Sequence, residues 1–166
     1  MNALAFQKTT TDLTNKEGVP YEREYLMDIL TLAPKQLKIE LTGDFLTDLF
    51  TNFHTDGRII GFAFDRELTE QGPYRFFASI DIDKIGEDTE SGEIVLYDSF
   101  DNKVIHRLAK DIKQFIQVAL VIFEYELPGW CKDKQYNFAD RSNLYLDLKA
   151  LLEADYLSYY EETYSS

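Results

Sequence analysis

Residues 74–126 read YRFFASIDIDKIGEDTESGEIVLYDSFDNKVIHRLAKDIKQFIQVALVIFEYE, and this stretch decides the fold. Aromatic and β-branched runs bounded by Gly, Asp and Asn predict strands over Tyr74 to Asp83 and Glu93 to Tyr97. Between them, Lys84 to Gly92 contains two glycines and three acids. That composition predicts an exposed connection in which Gly86 and Gly92 are free to take positive φ.

The second half of the stretch predicts a long helix. Asp111 is placed to act as its N-cap, and Gln114 is placed to reach back toward the start, as in a capping box. The helix is expected to end before Pro128-Gly129, because proline interrupts the hydrogen bonds of a helix interior. Its apolar residues are too many for a surface helix, so we expect it to be buried on most sides. One apolar face carries Ile112, Phe115, Ile116, Ala119, Ile122 and Phe123.

The other segments are assigned from the same local signals. Residues 1–18 are polar and Thr-rich and predict a loose leader, with at most a short strand. A strand is favoured over a helical turn for Lys35 to Leu41, because its apolar and polar positions alternate. Helices are predicted over Val19 to Ala33, Asp44 to Phe53 and Asn143 to Leu157, and a continuous apolar strand over Arg58 to Asp65, after a turn at Asp56-Gly57.

Short polar turns between the strands favour antiparallel pairing. The sequence therefore predicts an α+β fold in which helices pack against an antiparallel sheet. A length of 166 residues indicates a single domain. We place its core at about residues 19–127 and a C-terminal helical extension at 128–166.

Composition limits the classes of partner. The chain has 17 basic and 30 acidic residues, a formal charge of −13. That charge repels nucleic acid and anionic membranes and attracts basic partners, although solubility alone is an equally good explanation. No apolar run reaches the roughly 20 residues that cross a bilayer. The N-terminus does not resemble a signal peptide, and Cys131 is the single cysteine, so a cytoplasmic protein is expected.

Motifs for catalysis, cofactors and metals are lacking in the sequence. His54 and His106 fall in different predicted elements, and Cys131 has no context that would activate a thiolate. Asp81, Asp83 and Gly86 match part of a calcium loop, but Gly92 stands where its essential glutamate belongs. The many paired carboxylates are best explained as solvated loop acids. We therefore expect no enzyme activity, no cofactor and no metal site.

Four segments carry a resemblance to a known family: Ile82 to Asp88, Gly92 to Asp98, Lys103 to Ile105 and Leu108 to Ile116. They resemble the SUKH superfamily, which includes a yeast regulator of cell-wall synthesis. The front half is less similar: Pro34 and the run Asp44 to Gly57 are a loose match, with Asp56-Gly57 in place of the family's Asn-Gly. Asp111 and Ile112 stand where the family usually has Ser and Phe.

The resemblance implies an antiparallel sheet with helices packed on it, and no shared catalytic residues. It also implies a bacterial immunity protein that blocks a toxin, often a nuclease or deaminase. We expect the partner to be a toxin with a basic surface, and this chain to be a monomer or weak homodimer. The predicted contact residues are Glu87, Asp88, Glu90, Asp98 and Asp101, with the tail residues Tyr159 and Tyr160 secondary.

Two other hypotheses fit the composition. An acidic DNA mimic or regulatory adaptor, from a phage or mobile element, would spread carboxylates in rows and compete with DNA for several proteins. A hydrolase using two carboxylates is a weaker third hypothesis, because no pair is marked as buried.

Overall fold

A six-stranded antiparallel sheet forms the centre of the protein in a computed structural model, which describes residues 1–15, 31–36, 38–59, 62–132 and 138–165. Its strands lie side by side in chain order, so each pairs with the next. They are β3 (Arg58–Ile59), β4 (Phe62–Gln71), β5 (Tyr74–Ile80), β6 (Asp83–Asp88), β7 (Ile94–Asp98) and β8 (Lys103–Ala109). A separate antiparallel pair consists of β1 (Thr31–Pro34) and β2 (Phe53–Asp56).

Helices pack against the sheet around one core, so the predicted α+β class is confirmed. The sheet contributes Phe77, Ala78, Ile85, Ile94 and Leu96 to that core. Within the described residues, the helices are α1 (Ala3–Thr14), α2 (Phe45–Asn52), α3 (Ile112–Lys132), α4 (Phe138–Leu151) and α5 (Ser158–Tyr164), with a 3-10 turn at Ala154–Tyr156.

The start of α3 has the predicted cap. The backbone N–H of Gln114 donates to Oδ1 of Asp111 at 2.8 Å, and Gln114 reaches back to accept from the N–H of Lys110 at 2.9 Å. Phe115, Ile116, Ala119, Ile122 and Phe123 of the predicted apolar face are buried, as is Val118, while Ile112 is partly buried. Among the side chains described between Ile112 and Leu127, only Lys113, Gln117 and Glu124 are exposed, so this part of the helix is buried on most sides, as expected.

The end of α3 differs from the prediction, because the helix continues through Pro128-Gly129 to Lys132. A proline removes one backbone hydrogen bond, and tertiary packing regularly outweighs such a local preference. Leu127 is buried immediately before the proline, which anchors that turn in the core.

Four predictions for the front half are wrong. Residues 3–14 are a helix whose N-cap, Asn2, accepts from the N–H of Ala5, and the buried Ala3 and Phe6 hold it to the core. Thr31–Pro34 is a strand and not a helix end, while Val19 to Leu30 lies outside the described residues. No strand occurs in the described residues between Lys35 and Leu41, so the short alternation there was misleading. Arg58 to Asp65 contains two paired strands and not one.

Two other front-half predictions are confirmed. Helix α2 begins after its cap Asp44 and ends at Asn52, next to the predicted Phe53. Gly57 has a positive φ of 112° in the turn after β2.

The predicted connection from Lys84 to Gly92 is largely strand β6. Gly86 lies inside this strand and has no positive φ; a glycine is needed there because a Cβ would clash with the ring of Phe76. Only Gly92 takes the predicted positive φ, at 80°. Acidic residues have low strand preference, but pairing with β5 and β7 on both sides overrides it here.

Candidate functional site

Antiparallel pairing places the turns alternately at two ends of the sheet. The β5–β6 turn (residues 81–82) and the β7–β8 turn (residues 99–102) lie at one end, because Ile80 pairs with Asp83 and Asp98 pairs with Lys103. The β4–β5 and β6–β7 turns lie at the other. Lys84 pairs with Tyr97, so the first two turns are neighbours.

We call residues 81–83 and 98–102 the acidic turn end. It combines two exposed apolar side chains with four carboxylates. Ile82 is 64% exposed and Phe100 is 80% exposed, each at the tip of its turn. The carboxylates flank these tips and belong to Asp81, Asp83, Asp98 and Asp101.

Local sequence fixes the backbone of both turns. Asp81 and Asn102 each have φ of 52°, in the left-handed region that Asp and Asn tolerate better than other side chains. Asp98 Oδ1 accepts the N–H of Phe100 at 2.7 Å and that of Asp101 at 3.0 Å. These bonds from Asp101 and Phe100 lower the pKa of Asp98. Its carboxylate therefore holds the Phe100 turn in one conformation.

Lys103, the first residue of β8, forms an ion pair with this end. Among the described residues it is the only cation that the structure pairs with one of the four carboxylates. Its Nζ lies 2.7 Å from Oδ2 of Asp101, with both side chains mostly exposed. Lys84 instead lies over the ring of Phe76, 5.0 Å from its centroid. The acidic turn end thus keeps a net negative charge beside its two apolar tips.

The five predicted acidic contact residues do not form one patch. Asp98 and Asp101 belong to the acidic turn end, whereas Glu87, Asp88 and Glu90 lie at the opposite end of β6. β6 has six residues and spans about 20 Å at roughly 3.3 Å per residue. A contact surface centred on one end of the sheet therefore cannot include most of the predicted acidic residues at the other end.

Glu87 has a structural role within the fold. Arg75 donates a hydrogen bond from Nε to Glu87 at 2.8 Å. Its two terminal nitrogens donate to the carboxylate of Asp44, at 3.0 and 2.9 Å. The side chains of Arg75 and Glu87 are 18% and 15% exposed. The cluster ties the start of α2 to the sheet, so Glu87 is not available as an exposed contact.

Tyr160 was predicted as an exposed contact, and this is wrong because its side chain is fully buried. It packs into the core, and its hydroxyl donates to the carbonyl of Leu108 at 3.2 Å. Tyr156 and Tyr164, at helical spacing from it, are buried as well. Tyr159 is partly buried against His106, with ring centroids 5.8 Å apart. The tyrosines of the tail thus serve mainly to attach it to β8.

The sequence interpretation missed Ile82 and Phe100 as contact candidates, and did not group Asp81 and Asp83 with Asp98. The available signal was an apolar residue between turn-forming acids, in Asp81-Ile82-Asp83 and in Asp98-Ser99-Phe100-Asp101. Ile82 was placed inside the strand predicted over Tyr74 to Asp83, which hid its position at the tip of a turn.

Comparison with protein-family models, with curated protein sequences and with solved structures found no match to this chain. The resemblance to the SUKH superfamily therefore stays a prediction. Among the described residues, none of the helices combines the length and apolar character required to span a bilayer.

Proposed function

We propose that this protein is an immunity-type inhibitor that binds a basic protein toxin through its acidic turn end. The observation that carries the proposal is Phe100, 80% exposed at the tip of a turn whose backbone is already ordered. An exposed aromatic surrounded by carboxylates suits a partner with an apolar pocket and a positively charged rim.

The order of the turn matters for affinity. Binding usually loses free energy when a loop must become ordered, and a turn held by Asp98 avoids much of that loss. Ile82 on the neighbouring turn adds a second anchor. A few buried apolar anchors commonly supply most of the binding energy of an interface, while the charged rim sets specificity.

Net charge supports the choice of partner. At −13 the protein accelerates encounter with a basic partner and repels nucleic acid. A nuclease or deaminase needs basic side chains where it binds the phosphates of its substrate. Covering those cations with the acidic turn end would block the toxin without any reaction by this chain.

The test begins with capture on immobilised wild-type protein and on two variants. Phe100→Ala with Ile82→Ser removes both anchors, whereas Leu146→Ala removes an apolar side chain that is 60% exposed on α4. A protein retained by wild type and by Leu146→Ala, but not by the double variant, is then purified. It is tested for toxicity when expressed alone and for neutralisation by the wild-type protein.

The proposal requires that this protein be basic, be toxic when expressed alone, and be neutralised by wild type. It fails if the double variant retains and neutralises the same protein as well as wild type. It also fails if the retained protein is acidic or harmless.

A further inference from the structure

Exposed apolar side chains are concentrated at one corner of the sheet. Among the described residues, nine large apolar side chains are exposed, and four of them belong to this corner. Ile82 and Phe100 are the tips of the acidic turn end, and Val104 and Ile105, 38% and 37% exposed, lie in the first half of β8. We call Val104 and Ile105 the apolar edge. Scattered apolar residues are normal on a surface, but a group of them commonly marks a contact.

Strand register places the apolar edge beside the acidic turn end. β8 is the outermost strand of the sheet, and Val104 directly follows Lys103, whose pairing with Asp98 closes the Phe100 turn. β5 and β8 are three strand spacings apart, about 14 Å at roughly 4.8 Å per spacing. One contact surface can therefore reach from the β5–β6 turn to the apolar edge.

The C-terminal tail contacts β8 immediately beyond the apolar edge. Nδ1 of His106 lies 3.1 Å from Oγ of Ser158 in α5, and the hydroxyl of Tyr160 donates to the carbonyl of Leu108. The three residues before His106 have exposed side chains. The fold therefore uses the second half of β8 to hold the tail and leaves the first half at the surface.

The backbone of β8 is unsuited to pairing with a further strand. Relative to β7 it has an extra residue at Ile105 and another at Leu108. Such bulges disrupt a ladder, and a lysine on an edge strand also discourages pairing. Two copies of β8 paired antiparallel about Ile105 would place Lys103 opposite Arg107, and like charges in that position are destabilising. The apolar edge therefore suits the side chains of a different protein and not the β8 strand of a second copy.

The turn tips are too small to form a stable interface alone. An aromatic side chain buries about 150–250 Å², whereas a stable interface takes about 800 Å² from each protein. Ile82 and Phe100 therefore need neighbouring surface around them. The apolar edge continues the exposed apolar surface from Phe100 along β8.

Charge gives this surface a direction. Asp81 and Asp83 flank the tip of the β5–β6 turn, whereas on the β8 side Lys103 pairs with Asp101. The surface is thus acidic toward β5 and apolar toward β8. A complementary protein would place its cations over the β5–β6 turn and apolar side chains over the apolar edge.

We infer that the basic protein of the proposed function covers the apolar edge as well as the turn tips. The inference rests on the proposed function and adds to it the side of the sheet over which that protein lies. It also names the chemistry of the binding surface, in which apolar side chains stand next to the basic ones.

The experiment measures, by isothermal titration calorimetry, the affinity of variants for the basic protein purified by capture on wild type. Val104→Thr with Ile105→Thr keeps β-branched side chains on the strand but replaces apolar groups by hydroxyls. This variant should bind about tenfold more weakly, the effect of losing roughly two buried methyl groups. The matched control, Leu146→Gln with Leu151→Gln, changes two exposed apolar residues of α4 and should bind like wild type.

Methyl ¹H–¹³C NMR spectra of the wild-type protein, alone and with the same basic protein, give a second measurement that requires no variant to fold. The methyl signals of Val104 and Ile105 should shift on binding, and those of Leu146 and Leu151 should not.

The inference is overturned if the threonine variant binds like wild type, if the α4 control weakens binding equally, or if the methyl signals of the apolar edge do not move. Where Phe100→Ala with Ile82→Ser still abolishes binding in that case, the contact is confined to the turn tips and the proposed function stands. A wild-type dimer that the threonine variant converts to a monomer in sedimentation velocity would assign the apolar edge to a second copy and also overturn the inference. If no basic protein is captured, the proposed function and this inference fail together.

Discussion

At the residue scale, the ring of Phe76 explains why position 86 is a glycine. A Cβ at this position would lie 2.6 Å from Cδ1 and 2.9 Å from Cε1 of Phe76. Phe76 is fully buried, with its ring centroid 5.8 Å from that of Tyr74 and 5.3 Å from that of Tyr97. Its ring is therefore confined between the two tyrosines and the backbone of β6.

Gly86→Ala should destabilise the protein by about 1–3 kcal/mol, as overpacking of a buried site usually does. Urea denaturation followed by circular dichroism measures the change, with the exposed Glu90→Ala in the neighbouring turn as control. A denaturation midpoint equal to that of wild type would show that the Phe76 ring has room to move.

Tyr160 provides a second prediction at this scale. Tyr160→Phe keeps the packing but leaves the buried carbonyl of Leu108 without the hydroxyl, which should cost about 1 kcal/mol. Tyr160→Ala should cost roughly 3–5 kcal/mol, as for other buried aromatic side chains. Thermal unfolding of both variants tests this. An alanine variant as stable as wild type would contradict the burial of Tyr160.

At the element scale, the cluster of Arg75, Asp44 and Glu87 joins the N-terminus of α2 to β5 and β6. The hydrogen bond from Arg75 is the main reason why the pKa of Asp44 falls from 3.8 to about 2; burial opposes this shift, and a bond from Thr47 supports it. A carboxylate with a lowered pKa stabilises the fold fully above the pKa of the unfolded chain. This contribution is present above pH 3.8 and is lost as the pH falls toward 2.

Arg75→Gln should raise the pKa of Asp44 part of the way back toward 3.8, since the Thr47 bond remains. A ¹³C NMR titration of the carboxyl groups measures this. Arg107→Gln, which affects an exposed arginine on β8, should leave the pKa of Asp44 unchanged. A pKa still near 2 in Arg75→Gln would exclude Arg75 as the cause.

Helices were predictable from the sequence where a capping residue and an apolar face indicated the same helix. Asp111 was identified as the cap of α3 and acts as such, and the helix predicted from Asp44 begins one residue later, with Asp44 as its cap. Short strands such as β1 and β6 were missed, because pairing with their partner strands and not local preference forms them. The candidate site was only half predictable: Asp98 and Asp101 were named, but the adjacency of Ile82 and Phe100 depends on strand register.

At the scale of the whole molecule, charge and turn geometry can be separated by mutation. Asp98→Asn retains the acceptor that orders the Phe100 turn, and Asn at position 81 tolerates a φ of 52°. The triple change Asp81→Asn, Asp98→Asn and Asp101→Asn therefore removes three charges and preserves the turns.

If the proposed toxin is the partner, this triple variant should associate with it more slowly and show a weaker dependence of the association rate on salt. Stopped-flow measurements at several NaCl concentrations test the prediction. Glu67→Gln, Glu70→Gln and Glu90→Gln together remove the same charge away from the acidic turn end and serve as control. An equal or larger effect of the control would place the contact elsewhere.

Hydrogen–deuterium exchange of the protein, alone and bound to the basic partner purified by capture, tests the central claim most directly. The proposed contact predicts slower exchange on binding for the amides of residues 81–83 and 98–102, with little change for residues 88–93 at the opposite end of the sheet. Slower exchange at 88–93 with none at 81–83 and 98–102 would contradict it.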